Sequence, residues 1–248
     1  MVLVTFDTGL IFVLAIILIA SVVRSAFGFG DALIAMPLLA FFMSMKTAVP
    51  LVALTGFTIS LLILYKHWRT AYTKGLWILI VFCIIGIPAG IFFLKYADDK
   101  LVKIILATII ILFSSINLIK PNYFELKSDK SAWLFGIVSG MLGGAYNTNG
   151  PPVIIYGNLR RWEPQNFRAI LQTVFLPTNL FIILCQGTAG FWSKEVVGYF
   201  LVTVPVIVAG TFIGSMLVKK LSNNNISRFI IIFLIIIGII LIVKTLLS

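Results

Sequence analysis

GGAYNTNGPP, residues 143–152, interrupts the second half of an otherwise strongly apolar chain. The segments on either side, residues 132–142 and 153–159, are apolar, whereas this stretch contains three glycines, two prolines, two asparagines and a threonine. Glycine, proline and asparagine form turns, and uncharged polar groups are unfavourable in apolar surroundings unless they find partners. The stretch therefore predicts a break between two segments, and the nature of those segments decides its purpose.

The composition indicates an integral membrane protein. Of the 248 residues, 60% are hydrophobic and 11% are charged, and the mean hydropathy is +1.12. Soluble globular chains have about 45–50% apolar and about 25% charged residues. Long apolar runs without alternation predict helices, because a spanning helix satisfies its own backbone hydrogen bonds. We expect an all-α, multi-pass protein of the cell membrane, which is the inner membrane if the source is bacterial.

The net charge of +11 does not indicate a nucleic-acid partner. The Lys and Arg residues lie between apolar segments, where the positive-inside rule places them. The two cysteines, Cys83 and Cys185, lie within apolar runs and predict free thiols rather than a disulfide or a metal site. Residues 1–10 have no basic region typical of a signal peptide, so we expect the first apolar run to belong to the mature fold.

Ten apolar segments form two sets of five around a polar linker. We predict a first membrane repeat at residues 1–120, a linker at 121–130 and a second repeat at 131–248. The segments cover residues 8–26, 31–45, 47–65, 75–94 and 101–119, and then 131–146, 151–159, 165–186, 195–218 and 228–246.

Weak internal similarity predicts that the two sets are duplicates. A shift of 114 residues places Pro37 on Pro151, and a shift of 120 residues places IPAG (87–90) on IVAG (207–210). The matching residues are mainly glycines, prolines and basic residues, which mark breaks and boundaries.

Short segments beside two breaks leave three arrangements open. A span needs about 20 apolar residues, and the segments beside RSAFGFGD (24–31) and residues 143–152 are shorter. Each pair forms a re-entrant hairpin, one broken span or two full spans. Hairpins or full spans place six Lys and Arg residues on the N-terminal side and twelve on the other, against eight and ten for broken spans. The positive-inside rule favours the first division, which gives inverted repeats with both termini outside.

The second break predicts an anion-binding site near the bilayer midplane. Its amide and hydroxyl side chains are uncharged hydrogen-bonding groups, and prolines suit the first turn of the helix that follows. Helix N-termini attract anions. The candidate binding residues are Gly144, Asn147, Thr148, Asn149 and Gly150, and the predicted helix-breaking residues are Gly143, Pro151 and Pro152, with Pro37 in the first half.

Arg24 and Asp31 flank the first break, which also contains Gly28 and Gly30. Within a membrane each charge is unfavourable unless it is paired. We expect either a structural ion pair or an Arg24 that meets an anionic substrate beside an Asp31 that takes up a proton.

Three more candidate residues follow the second break. Arg168 either reaches the cytoplasmic interface or attracts anions at the mouth of a cavity. Gln172 and Thr173 either line a path or form hydrogen bonds between helices. Glycines four residues apart predict close helix packing instead; these are Gly86 and Gly90, Gly136 and Gly140, and Gly210 and Gly214.

Two signatures resemble those of the sulfite exporter TauE/SafE family. They are FGFGDALIAMPLLAFFMSMKTAVPL at residues 27–51 and GIVSGMLGGAYNTNGPPVIIYGNLRRWEPQNFRAILQT at residues 136–173. The resemblance implies an inner-membrane permease for small, often sulfur-containing anions such as sulfite and organosulfonates. It marks Gly28, Gly30, Pro37, Gly143, Gly144, Gly150, Pro151, Pro152 and Arg168. In the first signature GFGD replaces a more glycine-rich junction, which makes the two halves inequivalent.

The leading hypothesis is a secondary transporter of sulfite, sulfonates or related organosulfur or carboxylate anions. We expect no cofactor and no enzyme activity, because the sequence has no nucleotide loop, metal-ligand cluster or nucleophile triad. A membrane subunit that binds a partner through glycine-rich faces and a passive anion channel are the alternatives. The expected partners are a small anionic solute and the lipid bilayer, with a coupling ion (proton or sodium) and a homodimer left open.

Overall fold

The computed structural model of the chain describes residues 8–67, 76–119, 125–163, 166–221 and 224–247. Its ten α-helices match the ten predicted apolar segments. They are α1 (Thr8–Phe27), α2 (Asp31–Leu39), α3 (Met45–His67), α4 (Leu76–Tyr96), α5 (Asp99–Ile119), α6 (Ala132–Tyr146), α7 (Gly150–Leu159), α8 (Phe167–Ala189), α9 (Lys194–Leu221) and α10 (Asn224–Leu247). Most of the basic loop before α4 and the first part of the predicted linker lie outside the described residues.

Seven of the described helices are long and apolar enough to cross a membrane, and the remaining three are shorter. The shorter ones are α2, α6 and α7, with 9, 15 and 10 residues. At about 1.5 Å per residue, none of them covers the roughly 30 Å of a bilayer core. The all-helical membrane fold predicted from the sequence is thereby confirmed.

One detail of that prediction is wrong. Short segments do not stand on both sides of the first break, because α1 has 20 residues and is a candidate span. The helix continues through Arg24, whose charge is paired in the interior. The two breaks are therefore not built alike.

The helix contacts have the same pattern in both halves. Helix α4 packs on α6 as α9 packs on α1, and α3 packs on α9 as α8 packs on α4. Helix α3 packs on α8, and α5 packs on α10. This is the pattern expected of two related halves in which α1 corresponds to α6, α2 to α7, and so on to α5 and α10. The orientation of the halves across the membrane stays a prediction.

The predicted glycine faces form close helix contacts. A Cβ built on Gly140 would overlap the carbonyl oxygen of Cys83, and one built on Gly90 would overlap that of Met141. In the other half, Gly214 meets α1 in the same way. Small residues at these positions let helix backbones approach closely.

The contacts also correct the register of the duplication. Gly86 and Gly90 meet Ile137 and Met141 of α6, and Gly210 and Gly214 meet Leu18 and Val22 of α1, in the same order and spacing. If the halves are duplicates, Gly86 therefore corresponds to Gly210, and the predicted shift of 120 residues, which pairs Gly90 with Gly210, does not fit this helix pair. A few matching glycines and prolines determine a register poorly, because small residues recur every turn on these faces.

Two predicted helix-breaking residues lie inside helices. Pro37 is near the end of α2, and Gly143 is within α6, where its carbonyl accepts the N–H of Asn147 at 2.8 Å. The equivalence of Pro37 and Pro151 is also wrong, because Pro151 lies at the start of α7. Proline near a helix end loses little, so it can mark either end of a short helix.

Candidate functional site

Both breaks use residues with a left-handed backbone conformation. Gly28 and Gly30 have φ values of 86° and 100°, which glycine adopts without a steric penalty because it has no Cβ. Asn147 ends α6 with a φ of 55°, and asparagine is one of the few other residues that tolerate this conformation. The chain therefore turns sharply before α2 and before α7.

Pro151 and Pro152 occupy the first turn of α7, as predicted. They have no N–H group, so only Gly150 and Val153 keep one among the first four residues of the helix. Fewer donors therefore point at the second break than at the first, where α2 begins with Asp31 and has no proline in its first turn.

Arg24 and Asp31 form a buried ion pair across the first break. Arg24 Nη1 lies 2.7 Å from Asp31 Oδ2, and the side chains are 2% and 5% exposed. The guanidinium also stacks on the ring of Phe175 in α8, with 5.3 Å from Cζ to the ring centroid. Such a pair is neutral as a whole, which makes its burial tolerable.

A chain of hydrogen bonds connects this pair to α3 and α8. Arg24 Nη2 donates to Ser60 Oγ at 2.6 Å, and Ser60 donates to Gln172 Oε1 at 3.0 Å. Gln172 Nε2 then donates to the carbonyl of Gly28 at 2.6 Å. Gln172 therefore holds the first break against α8, as one of its two predicted roles requires.

Polar groups from both breaks meet at Gly56 in α3. A Cβ built on Gly56 would lie 3.0 Å from Arg24 Nη1, 3.1 Å from Asp31 Oδ2 and 3.3 Å from Asn147 Nδ2. Two N–H donors and one carboxylate, from α1, α2 and the second break, thus surround one backbone position without a side chain.

This meeting point is closed in the structure. A methyl group at Gly56 would already be tighter against three polar atoms than ordinary contact allows. An oxyanion is larger than a methyl group, so it enters only if Arg24 and Asp31 move apart. The meeting point therefore has no room for a solute in this conformation.

The polar side chains of the second break have different roles. Asn147 Nδ2 donates to the carbonyl of Val52 at 3.1 Å. Asn149 Nδ2 lies 3.2 Å from Thr178 Oγ1 and 3.3 Å from Asn179 Oδ1, so it ties the break to α8. Asn147 Oδ1 and the Thr148 hydroxyl are buried and have no partner among the described residues. Asn147 and Thr148 therefore retain hydrogen-bonding capacity.

Arg168 lines a separate cavity of about 180 Å³ between α1, α3, α8 and α9. It donates to the carbonyl of Ser25, and its stem packs against Gly28. The hydroxyl of Thr211 borders the same cavity and has no partner in the part of the chain that the structure describes. Gln172 lies one helical turn after Arg168 on α8 and is connected to Arg24 of the central pair through Ser60.

Two predicted binding residues lie away from the meeting point. Thr173 donates to the carbonyl of Ala169 within its own helix at 2.9 Å. Gly144 faces α4, where a Cβ would overlap the carbonyl oxygen of Ile87. Both residues therefore have packing roles in this conformation.

Sequence reasoning missed Gly56 and Ser60. They are four residues apart on one face of α3, within the run LTGFTIS of an apolar helix. The sequence signal for this part of the site was a small residue and a hydroxyl residue on the same face of an apolar helix. Which residues this face would meet depended on how α3 packs against α1, α2 and α8.

Helices of spanning length enclose two broken segments with a shared buried polar site, which defines a multi-pass membrane protein. The family model described as "Sulfite exporter TauE/SafE" matches residues 13–241. The chain belongs to this family.

One curated relative is the probable sulfite/organosulfonate exporter TauE of Cupriavidus necator. It is 25% identical over 133 residues, which are 52% of this chain and 52% of the relative. The chain thus matches this relative over about half of its length. No solved structure matches the chain.

Proposed function

We propose that this protein is a secondary transporter of small anions, either sulfite, sulfonates or related organosulfur or carboxylate anions. The anion binds where the two helix breaks meet, and the protein is a carrier rather than an enzyme. Family membership and the name of the curated relative support the anion class.

The observation that carries the proposal is the convergence at Gly56. Arg24 Nη1 supplies a fixed positive charge and Asn147 Nδ2 supplies a neutral donor on the same side of α3. A membrane subunit that only binds a partner has no need for a guanidinium buried to 2% exposure. Intramembrane ionisable groups usually mark a substrate or ion pathway.

Access to this site is proposed to run through the Arg168 cavity. The Arg168 guanidinium at this cavity attracts an anion electrostatically. Gln172, one turn further along α8, is connected to Arg24 through Ser60. The closed state of the central site suits alternating access, because a carrier never opens its site to both sides at once. A passive channel would need a continuous opening.

We also propose the membrane orientation. Both termini lie outside, and the two halves have inverted topology. A membrane-impermeant maleimide should label Lys100→Cys on intact cells and Ser128→Cys only after permeabilisation, because the positive-inside rule places these exposed positions on opposite faces. Labelling of both from the same side would contradict the inverted arrangement.

The function is tested by flux into proteoliposomes. Sulfite, sulfate, methanesulfonate and acetate are compared in parallel, with initial rates measured over a range of concentrations. A carrier gives saturable uptake and counterflow exchange for at least one of these anions. Non-saturating flux would indicate a channel, and no flux of any anion by folded protein would favour the interaction-subunit alternative.

Asn147→Ala should raise the half-saturation concentration for the transported anion. A hydrogen bond to a charged group contributes about 1.5–3 kcal/mol, which corresponds to roughly ten- to a hundredfold in affinity at about 1.4 kcal/mol per decade. The initial-rate assay gives this value directly.

Asn166→Ala is the matched control, because the side chain of Asn166 bonds only Glu163, at the surface before α8, among the described contacts. It should leave the half-saturation concentration unchanged. If Asn147→Ala also transports like the wild type at normal protein level, the second break does not touch the substrate.

A further inference from the structure

We propose that the coupling ion is a proton, that Asp31 carries it, and that the anion and the proton occupy the site together. This inference rests on the proposed function and names the coupling partner of the same site.

The geometry makes Asp31 a built-in competitor for the anion. Its carboxylate accepts a hydrogen bond from Arg24 Nη1 at 2.7 Å. This bond lies beside Gly56, where Asn147 Nδ2 also lies. An oxyanion that uses the same two donors must displace this carboxylate. Arg24 Nε is buried without a partner among the described residues, so the guanidinium has a further donor for the incoming anion.

Charge balance connects this displacement to a proton. The empty site holds one buried cation and one buried anion, so it is neutral. Adding a substrate anion leaves two negative charges beside one positive charge in surroundings of low dielectric constant, where like charges repel strongly. A proton on Asp31 restores neutrality and removes the competitor. A proton without the anion would leave Arg24 uncompensated, so each ligand favours the binding of the other.

The other elements packed against α2 bring no further charge to Asp31 in the described part of the chain. Helix α3 presents Gly56 and Ser60, which are neutral. Helices α5 and α10 meet the start of α2 with neutral side chains; these are Phe113, Ser114, Asn117, Ile230, Ile231 and Leu234. Arg168 packs its stem against Gly28 and donates to the carbonyl of Ser25, not to Asp31. Lys244 lies past the other end of α2, beside Phe41.

Sodium fits this position less well than a proton. A metal cation at Asp31 would sit beside the Arg24 guanidinium, and two positive charges would share one carboxylate. The buried oxygens of Asn147 and Thr148, which have no partner among the described residues, are alternative ligands for sodium. Sodium coupling is therefore kept as an outcome of the test.

The first experiment measures proton uptake on anion binding by the purified full chain. Methanesulfonate is the probe, because a sulfonate does not itself exchange protons near neutral pH. Calorimetry in buffers of different ionisation enthalpy should give about one proton taken up per anion bound, and the apparent affinity should fall about tenfold for each unit of rising pH wherever one proton binds with the anion. Asp31→Asn should bind with no proton uptake and no pH dependence.

The second experiment measures methanesulfonate flux under an imposed pH gradient, with and without sodium. The wild type should accumulate the anion on the alkaline side, and Asp31→Asn should lose this accumulation. Asp31→Glu keeps a titratable group and should retain coupling. Asp99→Asn is the matched control, since Asp99 pairs with Lys103 away from the site, and it should behave like the wild type.

The outcomes separate this inference from the proposed function. If sulfite, sulfate, methanesulfonate and acetate all fail to bind, the proposed function is overturned and the inference with it. Binding without proton uptake by the wild type, or accumulation that follows sodium instead of pH, overturns the inference alone. Because the wild-type measurements decide the question, poor folding of Asp31→Asn would not leave it open.

Discussion

Arg24→Gln is expected to remove saturable anion flux over the concentration range in which the wild type saturates. The guanidinium is a charged donor at Gly56 and pairs with Asp31 at 2.7 Å. Losing a charged hydrogen bond to the anion removes about 1.5–3 kcal/mol, or roughly ten- to a hundredfold in affinity. The unpaired Asp31 carboxylate adds repulsion against any anion that enters. Initial rates in proteoliposomes at equal protein content provide the measurement.

Folding must be separated from binding, because breaking one side of a buried ion pair destabilises a protein by about 3–5 kcal/mol. The double variant Arg24→Gln with Asp31→Asn removes both charges and leaves two amides that can bond each other. It should have a melting temperature closer to that of the wild type than the single variant has, and it should still show no saturable flux over the range in which the wild type saturates. Wild-type flux by the double variant would give the pair a purely structural role.

Arg24→Lys tests whether charge alone suffices. Lys carries a point charge on a flexible stem, whereas the Arg24 guanidinium contacts Asp31 and Ser60 through separate nitrogens. We expect this variant to fold and to transport at an intermediate half-saturation concentration. Flux equal to that of the wild type would show that the Ser60 and Gln172 hydrogen bonds do not position the binding group.

The helices were predictable because each feature that defines them is local. Apolar runs predicted all ten helices, and the prolines at 151 and 152 predicted the start of α7. The end of α2 was less clear, since residues 40–45 are as apolar as the helix before them. The register of the duplication failed because it rested on residues that recur with helical spacing.

The candidate site was predictable only as separate parts. Arg24, Asp31 and Asn147 stand out because charged and polar groups are rare in an apolar chain. Their meeting at one point depends on Gly56, which contributes no side chain and so left no chemical signal. A glycine's role at such a point is defined by its neighbours, and these come from three other parts of the chain.

The second large effect concerns stability at the contact between α4 and α6. Gly→Ala in a helix interior normally stabilises by up to about 1 kcal/mol, because alanine has the higher helix propensity. Gly9 is open, with no atom within 4 Å of a built Cβ. Gly9→Ala should therefore leave the melting temperature unchanged or raise it slightly.

Gly140→Ala should do the opposite, because the new Cβ would overlap the backbone carbonyl of Cys83, which cannot rotate away as a side chain can. Overpacking typically costs about 1–3 kcal/mol, and here α4 and α6 must also separate along their length. Gly136→Ala should fall between these variants, since its Cβ would lie 2.7 Å from the carbonyl oxygen of Leu79. Thermal unfolding of the purified protein should rank Gly140→Ala below Gly136→Ala and both below Gly9→Ala. Equal melting temperatures for the three would mean that α4 and α6 do not pack backbone to backbone, and the position of α6 before the second break would have to be revised.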